Sequence, residues 1–205
     1  MYHHYPLFIR IWHFLNALLF LCLILTGLNL QFSNPDHPFI SLEASVRLHK
    51  ICGIALTINY LLFFVGNILS GNGKNYFVRI NSLAKKIMLQ VKYYILRSWK
   101  NPEPPFPVTS ENKFNPLQAS AYAIVMYIGV PLLFLTGLGL LFPQIVIEKI
   151  FGTSGLLLTD IIHVVSGFIL FLFLLVHIYM STMGKTRSGS FRAIITGWQE
   201  LERES

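Results

Sequence analysis

Ile162-His163-Val164-Val165-Ser166-Gly167-Phe168-Ile169-Leu170-Phe171-Leu172-Phe173-Leu174-Leu175-Val176-His177-Ile178-Tyr179 is an apolar run with a histidine near each end. It lies within a segment, about 159–183, long enough to cross ~30 Å of hydrocarbon at about 1.5 Å per residue. Working outward, three further stretches have the same character, at about 12–32, 46–69 and 117–142. The chain as a whole agrees: 54% of its 205 residues are hydrophobic, only 12% are charged, and the mean hydropathy is +0.57. Those values exclude an ordinary soluble domain and predict one all-α integral membrane domain, a four-helix bundle spanning residues 1–205.

Net charge is +7, but its distribution speaks for topology and against nucleic acid. All Lys and Arg except Arg47, Lys50 and Lys149 fall in the N-terminal tail, the 70–116 connection or the C-terminal tail. By the positive-inside rule both tails and the middle connection are cytoplasmic, which sets an N-in, C-in bundle in a bacterial inner membrane. Arg10 precedes the first apolar stretch as in a secretory signal, but the stretch is long and no A-x-A site follows, so an uncleaved first helix is expected. Within 70–116, Ser70-Gly71-Asn72-Gly73 breaks the second helix and Asn101 to Pro107 forms a Pro-rich linker. Between them Phe77, Ile80, Ala84, Ile87, Val91 and Tyr94 recur at helical spacing, with Lys85, Lys86, Lys92 and Arg97 off the stripe. That pattern predicts an amphipathic interfacial helix on the cytoplasmic leaflet; packing on a partner subunit is the rival. Phe191, Ile194, Ile195, Trp198 and Leu201 suggest a second, shorter one. Cys22 and Cys52 read as small apolar residues, since free Cys is among the most buried types. No internal repeat is expected.

The chemistry lies in the histidines. Four of the seven, His13, His49, His163 and His177, sit near the ends of membrane-length segments, where an imidazole is costly unless something binds it. Helix direction pairs them by depth: His13 with His177 near the inner surface, His49 with His163 near the outer. Fourteen residues separate His163 from His177, which is about four turns, so both rings fall on one helix face about 21 Å apart. One haem iron near each membrane surface accounts for all four. A small residue follows each histidine by one turn (Ala17, Gly53, Gly167 and Ser181), leaving room for a flat macrocycle. Arg10, Arg47 and Lys50 are candidates to neutralise haem propionates. Zinc or copper handling is the sharper competitor, although transporters of those metals usually add carboxylates or thiolates to the imidazoles. His3, His4 and His37 fall in tails or loops.

Tyr5 to Ala17, Arg47 to Gly53, and His163 to Gly167 through His177-Ile178-Tyr179 resemble the di-haem cytochrome b subunits of thiosulfate reductase, formate dehydrogenase (gamma subunit) and nickel-iron hydrogenase. The likeness covers nearly the whole chain. It implies two b haems with the four histidines as axial ligands, and a quinone site near the inner haem. In the formate dehydrogenase type an Asn-x-Gly-Gln stretch lines that site; here Lys113-Phe114-Asn115-Pro116-Leu117-Gln118 matches, with Leu117 in place of the glycine, so Asn115 and Gln118 carry over as quinone residues. An N-cap followed by Pro at N1 explains Asn115-Pro116 equally well. The expectation is an electron-transfer subunit of a membrane oxidoreductase complex. It would pass electrons between a quinone pool (menaquinone or ubiquinone) and an extracytoplasmic redox subunit: an iron–sulfur or molybdenum enzyme, a hydrogenase or a multihaem cytochrome. The rival readings are a haem conduit without a quinone site, and a non-redox protein whose histidines move zinc or copper.

Overall fold

In the computed structural model the chain is an all-α membrane helical bundle, described over residues 2–3, 5–34, 36–69, 83–97, 105–106, 115–182 and 188–199. Helix α1 runs Leu7–Phe32, α2 Leu42–Leu69 and α3 Leu83–Lys92. A π-helical turn, Tyr93–Arg97, extends α3. Next come α4 (Pro116–Ile124), a π turn (Val125–Gly129) and α5 (Val130–Leu141), which together form one span. Helix α6 is Gly155–Ser181 and α7 is Gly189–Thr196. The π turn has a local cause in Pro131, whose missing N–H and ring cannot be fitted into regular α-helical bonding.

The four spans start earlier than the hydropathy pattern suggests, at Leu7, Leu42, Pro116 and Gly155. Hydropathy registers only the part of a helix that lies in hydrocarbon; the polar first turns, such as Glu43 to Arg47 of α2, are helical too. Burial is inverted relative to a soluble protein. Thr26, Asn29, Ser45, Asn59, Asn67, Thr136 and Ser166 are buried, while Leu18, Leu25, Leu62, Leu135 and Phe168 stand exposed. Lipid solvates those apolar side chains, and polar side chains turn inward to find hydrogen-bond partners.

The chain divides into two compact units. One comprises Met1–Arg10, Asn67–Ile128 and Leu174–Ser205; the other comprises Ile11–Gly66 and Gly129–Phe173. In the first unit, strand β1 (Tyr2–His3) pairs antiparallel with a later strand, Trp198–Gln199, in the register Tyr2 to Gln199 and His3 to Trp198. Gly197 makes the turn into that strand, at φ 84°, and donates its N–H to Ala193 O. The helix expected from Phe191 onward is therefore real but ends at Thr196, and Leu201 lies outside the described residues. In the same unit α3 packs on α4. Phe77 and Ile80 of the expected stripe, the 70–73 breaker, Lys113 and Phe114, and most of the Pro-rich linker also lie outside the described residues.

Of the described stripe positions, Ile87, Val91 and Tyr94 are half-buried and only Ala84 departs from the pattern. Ala84 is exposed and Gln90 is completely buried, while Met88, Leu89 and Ile95 are exposed. Beside a membrane, apolar side chains have a favourable place on the outer face as well as the inner one. An apolar stripe therefore does not by itself identify which face meets protein.

In the second unit, short strands β2 (Lys149–Ile150) and β3 (Thr153–Ser154) form a hairpin before α6. Phe151 and Gly152 turn it with positive φ values of 50° and 83°. Asn29 fastens the end of α1: its Nδ2 donates to Ile40 O and to Ser45 Oγ, both at 2.8 Å, and its Oδ1 accepts from Ile40 N.

Candidate functional site

His49 on α2 and His163 on α6 face each other in the second unit, with ring centroids 6.3 Å apart and planes inclined at 71°. Each is held in the same way. Nδ1 of His49 lies 2.9 Å from Thr26 Oγ1, and Nδ1 of His163 lies 2.9 Å from Thr136 Oγ1. Next to each threonine is a glycine, and a Cβ at Gly27 or Gly137 would stand 3.4 Å from Cε1 of the adjacent ring. Both imidazoles therefore lie close against the backbone of a neighbouring helix, and Nε2 is the ring nitrogen left for a ligand.

The spacing tests whether an iron fits between the rings. Two metal–imidazole bonds of about 2 Å each, plus about 1.1 Å from each ring centre to its nitrogen, amount to about 6.2 Å. The observed centroid separation of 6.3 Å would accommodate a metal ion between the two rings. The donor set, two neutral imidazoles in an apolar setting, suits haem iron. Among the described residues no group of three or more His, Cys, Asp or Glu gathers that could hold a metal ion.

The remaining predicted ligands are on the expected helices. His13 lies on α1 in the second unit, edge-on to Phe14 at 5.8 Å. Nearby in sequence, Trp12 stacks on Phe63 at 4.2 Å and donates through Nε1 to Asn59 O at 3.2 Å. His177 lies on α6 in the first unit, with Nδ1 3.3 Å from Tyr122 Oη.

The candidate propionate partners are engaged elsewhere as well. Arg10 donates from Nε to Ile194 O at 3.2 Å and from Nη2 to Ile195 O, holding the last carbonyls of α7. Such a cation also complements the negative end of the helix dipole. Arg47 pairs with Glu43 at 2.7 Å on the exposed side of α2. With Lys50, Leu42 and Val46 these two line a shallow, open concavity.

Asn115 and Gln118, the candidate quinone residues, form a capping box at the start of α4. Asn115 Oδ1 accepts from Gln118 N at 2.9 Å, and Gln118 Oε1 accepts from Asn115 N at 3.3 Å. Asn115 Nδ2 donates to Tyr94 Oη at 3.0 Å.

Three features were not found in the sequence. One is the threonine pair. Another is Gln90, fully buried on α3 one turn before Tyr94, with no hydrogen-bond partner for either amide atom among the described residues. The third is an internal duplication, contrary to the expectation of no repeats. Thr26 donates to Cys22 O at 2.7 Å, and Thr136 to Leu132 O at 2.7 Å. A Cβ on Gly53 would meet Leu23 Cδ2 at 3.9 Å, and one on Gly167 would meet Leu133 Cδ2 at 4.0 Å. Leu25-Thr26-Gly27-Leu28 recurring as Leu135-Thr136-Gly137-Leu138 was the available signal. The copies diverge where Asn29 bonds Ser45, because Gly139 instead packs tightly on Thr159, its Cβ position 3.1 Å from Thr159 Cγ2. They diverge again at Cys22 and Cys52, whose Sγ atoms are 3.1 Å apart.

A helical membrane bundle with two facing histidines on its spans, taken with the family it matches, defines the class: a membrane haem b electron-transfer protein. The comparisons specify it further. The chain belongs to the prokaryotic cytochrome b561 family, whose model matches residues 4–197. It is also 35% identical over 190 residues to the protein of Escherichia coli (strain K12) named "Putative cytochrome YdhU", covering 93% of this chain and 71% of that one. It is accordingly a multi-pass protein of the bacterial inner membrane.

Proposed function

We propose that this chain is a di-haem b-type cytochrome subunit that carries electrons across the membrane between a quinone pool and an extracytoplasmic redox partner. The observation that carries the reading is the 6.3 Å separation of His49 and His163, with Nδ1 of each already bonded. These two are the axial ligands of the outer haem. His13 and His177, paired by depth along their helices, are those of the inner one. When bound, haem supplies one-electron chemistry; the protein supplies axial ligation, position and surroundings. Arg10, Arg47 and Lys50 are the candidate propionate partners.

The quinone part of the reading is favoured over a plain haem conduit by Gln90. A buried amide without partners costs about 1–3 kcal/mol, and a ligand that completes its hydrogen bonds explains its retention. An amide suits both redox states of a quinone, since Nε2 can donate to a quinone carbonyl and Oε1 can accept from a quinol hydroxyl. Asn115 and Gln118 stand at the start of α4, against which α3 packs. The external partner is an iron–sulfur or molybdenum enzyme, a hydrogenase or a multihaem cytochrome, as in the subunits the sequence resembles.

Purified, fully loaded protein should contain two low-spin b haems by pyridine haemochrome and EPR, because two imidazoles leave no open coordination position. His49→Ala and His163→Ala should abolish one and the same component in a redox titration, and His13→Ala and His177→Ala the other. One haem or fewer per chain, or a cross-pair match such as His13 with His163, overturns the assignment.

A further inference from the structure

We propose that Thr26 and Thr136 are matched positioning residues for one haem: each hydroxyl accepts a hydrogen bond from Nδ1–H of a histidine and thereby fixes Nε2 as the nitrogen presented to iron. The inference rests on the reading of His49 and His163 as ligands of the same haem.

The direction of each hydrogen bond follows from counting protons. A hydroxyl has one proton and two lone pairs. In both threonines that proton has a carbonyl to go to one turn back, Cys22 O for Thr26 and Leu132 O for Thr136, each at 2.7 Å. Toward the ring, 2.9 Å away, Oγ1 therefore acts as acceptor, and Nδ1 must donate. A neutral imidazole carries a single N–H, so Nε2 is left bare, the form in which histidine binds a metal. Both acceptors are fixed in place. Threonine is branched at Cβ, its hydroxyl is tied to its own helix, and Thr26 and Thr136 are only 2% and 8% exposed. Gly27 and Gly137 lie against the rings, where a Cβ would just reach van der Waals contact with Cε1 at 3.4 Å.

The electronic consequence is specific. A hydrogen bond from Nδ1–H makes the imidazole a stronger donor at Nε2, which favours ferric over ferrous iron and lowers the reduction potential. Here the two axial ligands are polarised equally, by the same group at the same distance. His177 differs, its Nδ1 meeting a phenol, Tyr122, at 3.3 Å. Thr26 and Thr136 thus set one haem of the pair apart from the other. If they served only as interhelical packing, replacing the hydroxyl by a methyl would leave the electronic properties of the iron untouched.

The test uses the full-length, haem-loaded protein in detergent, with Thr26→Val, Thr136→Val, their double variant, and the Thr→Ser variants that keep the hydroxyl. In a potentiometric titration each Val variant should shift one b component to a more positive potential, and the double variant should shift it further. The other component should stay in place. The low-spin EPR signal of the shifted component should change, and both Ser variants should restore potential and signal. Val variants with wild-type potential and EPR overturn the proposal, as do Ser variants displaced as far as Val. Where Val prevents loading of that haem, Thr→Ala takes its place. Loss or a positive shift with Ala, rescued by Ser, supports the hydroxyl's role, whereas wild-type behaviour with Ala, or loss with Ser, overturns it. Failure of the underlying reading is separately visible, as His49→Ala and His163→Ala chains that retain both b components.

Discussion

At the scale of single residues, the histidines were legible and their supports were not. An imidazole at membrane depth is rare enough to be noticed in a sequence. A threonine in a membrane helix is not, since it commonly satisfies its hydroxyl on its own backbone, as Thr26 and Thr136 do while also meeting the rings. Asn115 shows a different limit: its sequence context fitted both a cap and a quinone contact, and the structure uses its amide to cap α4 and to reach Tyr94. Gln90 carried no signal because a glutamine on a basic amphipathic helix is expected to face water. Its burial leads to a prediction with opposing signs. Gln90→Leu keeps roughly the same volume and removes an unpaired amide, so stability should be unchanged or rise by about 1–2 kcal/mol. If Gln90 meets quinone as proposed, losing that hydrogen bond should nevertheless slow haem oxidation by a quinone analogue about tenfold, since ~1.4 kcal/mol is a factor of ten. Thermal unfolding and stopped-flow spectroscopy measure the two effects; a wild-type oxidation rate removes Gln90 from the quinone site.

At the scale of elements, the four spans could be read from hydropathy because lipid demands long apolar helices. Their exact starts, the burial of Gln90 on α3 and the π turn could not, being set by packing and by Pro131. The junction of the β2–β3 hairpin with α6 shows how tightly such packing constrains a single position. A Cβ on Gly155 would collide with the carbonyl oxygen of Ile147, a backbone atom that cannot swing aside as a side chain does. Gly155→Ala should therefore cost about 2–4 kcal/mol, as other overpacked sites do at the upper end of their range. The damage should reach the haem proposed to be held by His163, two turns further along α6. Reduced-minus-oxidised spectra after mild heating should show that component lost earlier than in the unmodified protein. Gly129→Ala provides the comparison: its Cβ would meet only the end of the Leu170 side chain, at 3.0 Å, and a milder effect is expected.

At the scale of the whole molecule, the duplication relates one helix pair, α1 with α2, to the other, α5 with α6, through the same Thr-Gly and His contacts. Hydropathy obscured it, since apolar positions interchange freely in lipid while only a few polar and small ones keep their identity. The first compact unit adds the pairing of Tyr2–His3 with Trp198–Gln199 and the grip of Arg10 on Ile194 and Ile195. A chain ending at Thr182 lacks both contacts. It should still load haem as the full chain does, because the four proposed ligands remain, but its first residues should be cut by protease much faster, which mass mapping of the fragments would show; unchanged cleavage would mean that the strand pairing gives no protection. The same pairing has a bearing on biogenesis. Membrane helices can enter the bilayer one after another during synthesis, whereas β1 has no partner until Trp198 and Gln199 have left the ribosome. Closure of this clasp is therefore a late, post-insertion event, and an open N-terminal strand marks a chain whose translation stopped short.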